Sequence, residues 1–302
     1  MFARVEKELY YAASSGCVSE VSSLLRDHPE IKVNWTDRAR RTPLHIASLE
    51  GHVEVVKLLL AHPDINVNLK SAHGHTPFSI GCDIGHVSVI QVLLKDPRVD
   101  VTLDDHSGCT PLWHASCNGE HEVIGWLIAS GRDLGDIKNK KGKYWKDGEE
   151  YTALEIARKK ESEVLYEALE IAKEDKWTDV ALLLERFMAN LSQTRHELRV
   201  RLGVLDECAA EVFALIVFLC DGLLQIKPAF PNPAADPSAV LRFFVIAKSL
   251  PLDLQMVLCH RAVGSMRQNI LHKDSEAAFH FLAKNLLGVH CGTREGKQCV
   301  VS

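Results

Sequence analysis

No apolar run in this sequence is longer than nine residues, Val212 to Cys220, and that run stops at Asp221. A bilayer-spanning helix needs about 20 such residues, so the stretch is expected to be a buried helix. The opening residues, Met1-Phe2-Ala3-Arg4-Val5-Glu6-Lys7, lack the apolar core of a signal peptide. Positive charge is in short supply: net charge is −5 and pI about 6.3, which excludes a global basic field for nucleic acid. Catalytic signatures are missing as well, with no phosphate-cradling glycine loop, no GxSxG elbow, no HExxH and no CxxC pair. Nine cysteines is an odd number, and without a secretion signal they are expected as reduced thiols in the cytoplasm. What is left is an ordinary globular composition, 46% hydrophobic and 25% charged, in 302 residues that leave room for roughly two domains.

What the sequence does have is a phrase that returns. Thr42-Pro43-Leu44-His45-Ile46-Ala47 recurs as Thr76-Pro77-Phe78-Ser79-Ile80-Gly81, as Thr110-Pro111-Leu112-Trp113-His114-Ala115 and, more loosely, as Thr152-Ala153-Leu154-Glu155-Ile156-Ala157. The intervals are 34, 34 and 42 residues, a fixed period plus one insertion, as in a stacked solenoid. Threonine caps a helix by accepting a backbone N–H, and proline fits the first helical position, where its missing donor costs nothing. Leucine begins the core face, alanine permits close helix approach and glycine permits the turn to a second helix. Gly51-His52-Val53 and Gly85-His86-Val87 open that second helix; Leu58-Leu59-Leu60 and Val92-Leu93-Leu94 fill its core face. Val67-Asn68 and Val101-Thr102 lead into the next loop. On these residues the chain resembles the ankyrin repeat family.

A first, atypical repeat precedes the clear ones: Leu9, Ala12 and Gly16 lie 35 residues before Leu44, Ala47 and Gly51. Asn139 to Glu150 is expected as an exposed inserted loop, and the second helix of the fifth repeat is expected near Val164 to Lys173. The expected fold is all-α, with an ankyrin-type α-solenoid of about five repeats over residues 1–172 and an α-helical domain over 173–288. A flexible tail over 289–302 completes it. In the helical half, Trp177, Val180, Leu183, Leu184, Phe187 and Leu191 form an amphipathic stripe, and Asp206 to Ile226 reads as a central helix. Pro237, Pro251 and Ser275 mark further helix starts.

The resemblance implies that the loops and the solvent side of the first helices bind a protein partner. Those positions are Arg38, Arg41, Ile46, Leu49 and Glu50, then Lys70, His73, His75, Ile80, Asp83 and Ile84. Asp104, His106, Cys117 and Asn118 follow, with Tyr144 and Trp145 on the inserted loop as candidate exposed aromatic anchors. Ser79 and Trp113 depart from the histidine of the phrase, and Gly81 from its alanine. Serine can still bond the adjoining backbone, whereas Trp113 is expected either to tilt its repeat or to present an aromatic ring to a ligand.

No metal or cofactor is expected. His106, Cys109, His114, Cys117 and His121 come closest, but their spacing follows the repeat and lacks closely paired ligands, so a structural role is expected. The adjacent pair Cys259-His260 would point about 100° apart on a helix. The terminal Cys299-Val300-Val301-Ser302 matches a C-a-a-X prenylation signal of the farnesyl type. One lipid anchors only reversibly, so Cys291 is the candidate for a second, palmitoyl, group; Arg294 and Lys297 are offset by Glu295. The reading is a non-enzymatic protein-binding adaptor in the cytoplasm, with peripheral membrane contact through lipid and no nucleic acid. The alternative is an enzyme or regulatory subunit with a site around His260, Arg261 and His272.

Overall fold

Thr42, Thr76 and Thr110 stand in extended backbone, and each hydroxyl accepts the N–H of the residue three ahead: His45, Ser79 and Trp113. Proline follows at the first helical position in all three. His45 and Ser79 answer by accepting the threonine N–H, which completes a reciprocal cap. Thr152 does the same with Glu155: the Thr152 N–H donates to Glu155 Oε2 at 2.8 Å, and the Glu155 N–H donates to Thr152 Oγ1 at 3.3 Å.

The computed structural model describes residues 2–167, 176–220 and 249–263, together with Phe243, Phe244, Ile246, Ala247, Ile270, Asp274, Ser275, Ala278 and Phe279. Its helices come in pairs: α1 (Phe2–Ser15) with α2 (Val18–Asp27), α3 (Pro43–Leu49) with α4 (Val53–Leu60), and α5 (Pro77–Ile84) with α6 (Val87–Lys95). α7 (Pro111–Asn118) with α8 (His121–Ser130), and α9 (Ala153–Glu167) with α10 (Lys176–Ala189), continue the series. The first helices of successive pairs pack on one another, and so do the second helices. Leu44, Ala47, Val55, Val56 and Leu59 of one pair are wholly buried, as are Cys82, Val89, Ile90 and Leu93 of the next. No pair could bury this apolar surface alone, which is why the stack is the folding unit.

Two side-chain devices set the register between pairs. Gly16 and Gly51 have φ of 70 and 77, and an added Cβ would lie 2.7 and 2.9 Å from the imidazoles of His52 and His86. The small residue lets each ring reach the preceding pair, where His52 Nε2 meets the Ser14 carbonyl at 3.0 Å and His86 Nε2 the Leu49 carbonyl at 2.8 Å. Asn34 and Asn68 bridge at the other end: each amide donates to a carbonyl of the next repeat (Asp64 or Arg98) and accepts a backbone N–H there (Asn66 or Asp100).

Three expectations need correction. The inserted segment is not simply an exposed loop: Gly142–Lys143 (β1) pairs antiparallel with Glu150–Tyr151 (β2). Residues 164–167 belong to α9, and it is α10 that packs on α8 and α9 as the second helix of the fifth pair. The stripe of α10 buries Val180, Leu183, Leu184 and Phe187, but Leu191 is 48% exposed because a new helix, α11 (Leu191–Arg201), starts there. Asn190 makes the break by accepting the Gln193 N–H at 3.1 Å.

The chain divides into two compact units after Leu198. In the second unit, α12 (Val204–Cys220) buries Ala209, Ala210, Phe213, Ala214, Ile216 and Phe218. Its apolar faces meet Ala247, Phe279 and Cys259, the last on α13 (Leu252–Ala262), which begins after Pro251 as expected. Residues 221–226 of the expected central helix, the Pro237 start and His272 lie outside the described residues. Those described are helical throughout apart from the two short strands and the connecting loops, an all-α architecture.

Candidate functional site

The second, third and fourth pairs are each preceded by a loop, and these loops share one construction. The Asp37, Ser71 and Asp105 N–H groups donate to the carbonyls of Arg41, His75 and Cys109 at 3.0, 2.9 and 3.0 Å. Successive loops are then tied edge to edge: Ala72 N–H to the Ala39 carbonyl, His106 N–H to that of His73, and Lys143 N–H to that of Ser107, at 2.8, 3.2 and 2.9 Å. The β1–β2 hairpin therefore occupies the next loop place, and four turns of chain present their side chains in a row.

The row is unequal in what it exposes. Arg38, His73, His106 and Trp145 are exposed, Trp145 by 80%. Arg41 is half-buried and held by Asp37, 2.9 Å from Oδ2, which also accepts the Tyr10 hydroxyl at 2.9 Å. Burial would raise the Asp37 pKa, but hydrogen bonds from Arg41 and Tyr10 overcome it and hold the carboxyl below its usual range. Lys70 and Lys140 grip Asp104 from both sides at 3.5 and 2.6 Å, which ties the loop of one repeat to the insertion. Ile84 is 47% exposed and Glu50 is exposed, while Leu49 and Ile80 are half-buried.

Ile46 and Tyr144, expected among the partner-facing residues, are buried. Ile46 is only 5% exposed because it faces the neighbouring helices. Tyr144 is 1% exposed, since the hairpin turns its ring inward against Cys109, Trp113, Cys117 and Ile156. Cys117 is likewise core. Trp113 turns its ring into the core. It is 5% exposed, and its indole N–H donates to the Tyr151 carbonyl at 2.9 Å. His45 makes the matching contact two repeats earlier, Nε2 to the His75 carbonyl at 3.0 Å. The hairpin brings its backbone to where the longer indole can reach it.

One polar cluster stands out beneath the row. His114 lies between two carboxylates, Nδ1 3.2 Å from Asp83 Oδ1 and Nε2 3.2 Å from Asp105 Oδ2. Burial alone would depress its pKa; the hydrogen bonds to Asp105 and Asp83 outweigh that and raise it to about 9. The same bonds lower both carboxyl pKa values against the effect of burial. Asn118 fixes Asp83, donating to its Oδ1 at 2.8 Å and its carbonyl at 2.7 Å. Asp105 Oδ1 accepts the Ser107 and Cys109 N–H groups, which leaves Oδ2 to His114. The His75 ring lies 5.0 Å from that of His114, its Nδ1 buried and without a hydrogen-bond partner.

The five-residue set singled out from the sequence does not gather: Cys109 and Cys117 face the aromatic core, and only His114 joins the cluster. Yet a signal was present. His114 stands where the phrase carries Ile46 and Ile80, and Asp83 stands where Leu49 and Cys117 do, so polar residues occupy positions that are otherwise apolar or sulfur-bearing. In the second unit His260 is 1% exposed, with Nδ1 4.0 Å from Asp206 Oδ1. Cys291 and Cys299 lie outside the described residues.

Comparison with curated proteins finds no match. A family model describing ankyrin repeats (three copies) matches residues 6–71 and again residues 64–141. Capped helix pairs, stacked loops and the matched span agree, and the N-terminal part of this chain is an ankyrin repeat array.

Proposed function

We propose that the chain is a non-enzymatic adaptor whose ankyrin repeats hold a protein partner along the row of loops. Arrays of this kind bind other proteins in general, and one observation carries the reading to a particular surface. Arg38, His73, His106 and Trp145 stand exposed on four loops that backbone hydrogen bonds tie side by side. Arginine and tryptophan on a rigid base are the residue types that dominate binding energy, because little entropy remains to be lost when they dock. In this reading Ile84, at the end of α5, and Glu50, just past α3, add to the surface, and Cys299 and Cys291 carry the lipids that place the complex on a cytoplasmic membrane face.

The test is quantitative affinity purification of the wild type beside a variant with Arg38, His73, His106 and Trp145 all changed to alanine. The reading requires the variant to fold with an unchanged melting temperature and to lose a partner by at least tenfold; equal recovery of every co-purified protein contradicts it. For the lipid, intact mass from a eukaryotic host should show a farnesyl-sized gain with loss of Val300 to Ser302, abolished by Cys299→Ser. An unmodified mass beside a modified control removes the membrane part and leaves the protein-binding part standing.

A further inference from the structure

We propose that His75, Asp105 and His114 form a binding site for a divalent transition-metal ion of the Zn2+ class, with Asp83 and Asn118 holding the central histidine in place. The proposal goes beyond protein binding and does not depend on it.

The geometry supplies three donors from three places in the array. His75 closes the loop before α5, Asp105 opens the loop before α7, and His114 stands on α7. Each offers one ligand atom, and these atoms all lie within 4.8 Å of one another. With metal–ligand lengths near 2.0–2.1 Å, tetrahedral donors stand roughly 3.3 Å apart. The His114 Nε2 and Asp105 Oδ2 pair is already at 3.2 Å. To complete a tetrahedral set, each separation between His75 and the other two donors has to close by no more than about 1.5 Å, a change within reach of its side-chain torsions.

The surroundings are those of a ligand set rather than of a simple ion pair. With His114 Nδ1 donating to Asp83, release of the Nε2 proton to solvent frees that nitrogen for a metal; a carboxylate behind a ligating imidazole is the usual way of fixing tautomer and ring angle. Asn118 in turn anchors that carboxylate. Asp105 gives its Oδ1 to backbone N–H groups and keeps Oδ2 directed inward. An ion pair between His114 and its two carboxylates accounts for all of this except the His75 ring, whose buried Nδ1 has no partner. A metal ion accounts for that ring as well. On binding, it takes the place of the Nε2 proton shared with Asp105, and two imidazoles and a carboxylate leave a fourth position for water or a partner's side chain.

The experiment uses full-length protein, freed of metal by chelator, kept reduced and equilibrated with Zn2+. The wild type should retain one Zn2+ per chain. His75→Ala should retain none while melting as the wild type does in chelator, since the His75 backbone carbonyl, not its ring, closes the loop. Asp83→Asn should weaken Zn2+ binding about 10- to 100-fold, as loss of an orienting carboxylate does. Co2+ should give a visible d–d band without a thiolate charge-transfer band, which separates this site from capture by free cysteines. No retained Zn2+, retention unchanged in His75→Ala, or a thiolate-type cobalt spectrum would overturn the proposal. If His75→Ala fails to fold, the wild-type cobalt spectrum decides by itself.

Discussion

His45 shows how much one side chain of the repeated phrase does. It is wholly buried; its Nδ1 accepts the Thr42 N–H and its Nε2 meets the His75 carbonyl, so it fastens one helix start to the next loop. Burial, partly offset by hydrogen bonds to backbone carbonyls, pushes its pKa from 6.5 down to about 4. The unfolded chain therefore binds a proton more readily between these values, and stability must fall as pH drops through that window and be complete above about 6.5. At 1.36 kcal/mol per pH unit the full effect is about 3 kcal/mol. Urea unfolding at pH 7.5 and pH 4.5 measures it, and His45→Gln, which has no proton to gain, should shrink the difference between the two pH values.

The neighbours Tyr144 and Trp145 make the complementary case. One ring is 1% exposed and the other 80%, on adjacent residues of the same hairpin. Tyr144→Ala should cost about 3–5 kcal/mol, as truncation of a buried aromatic does. Trp145→Ala should change stability by less than about 0.5 kcal/mol and act on partner binding alone. Chemical denaturation of the two variants distinguishes these outcomes, and comparable losses in both would show that the hairpin is misplaced.

At the scale of elements, the hairpin and α10 are what the repeat pattern did not announce. Trp113→Phe keeps the ring but removes the indole N–H that holds the Tyr151 carbonyl, so it should destabilise the protein by about 1 kcal/mol. Hydrogen exchange should then accelerate in residues 142–151 more than in α5 or α6. Helix α10 buries Val180, Ala181, Leu183, Leu184 and Phe187 against the end of the array. At roughly 1.5–3 kcal/mol for each large apolar side chain, a fragment ending at residue 172 should melt well below one ending at Leu198. Equal melting temperatures would mean that the array ends at α9.

For the molecule as a whole, the array was legible in the sequence because its determinants are local and repeated. Threonine, proline and the turn glycine act within a few residues of themselves, and a fixed period multiplies the signal. The side from which Tyr144 packs was not legible, since it depends on the Lys143 N–H bonding the Ser107 carbonyl, 36 residues earlier. The cluster at His114 escaped for a similar reason. Asp105 shares a repeat with His114, but Asp83 and His75 belong to the repeat before, and only the stacking brings them to the same imidazole. Of the residues read as partner-facing, Arg38, His73, His106 and Trp145 are exposed, while Ile46 and Tyr144 turn inward on packing that the alternation of polar and apolar residues does not encode.

The most direct test of the account places a photo-crosslinking amino acid at Trp145 or His106 on the loop row, and at exposed Glu54 on α4, in the full-length chain. Crosslinks to one protein from the two loop positions, and none from Glu54, are the predicted result. Capture from Glu54 with none from the loops would contradict the claim that the loop row is the binding surface.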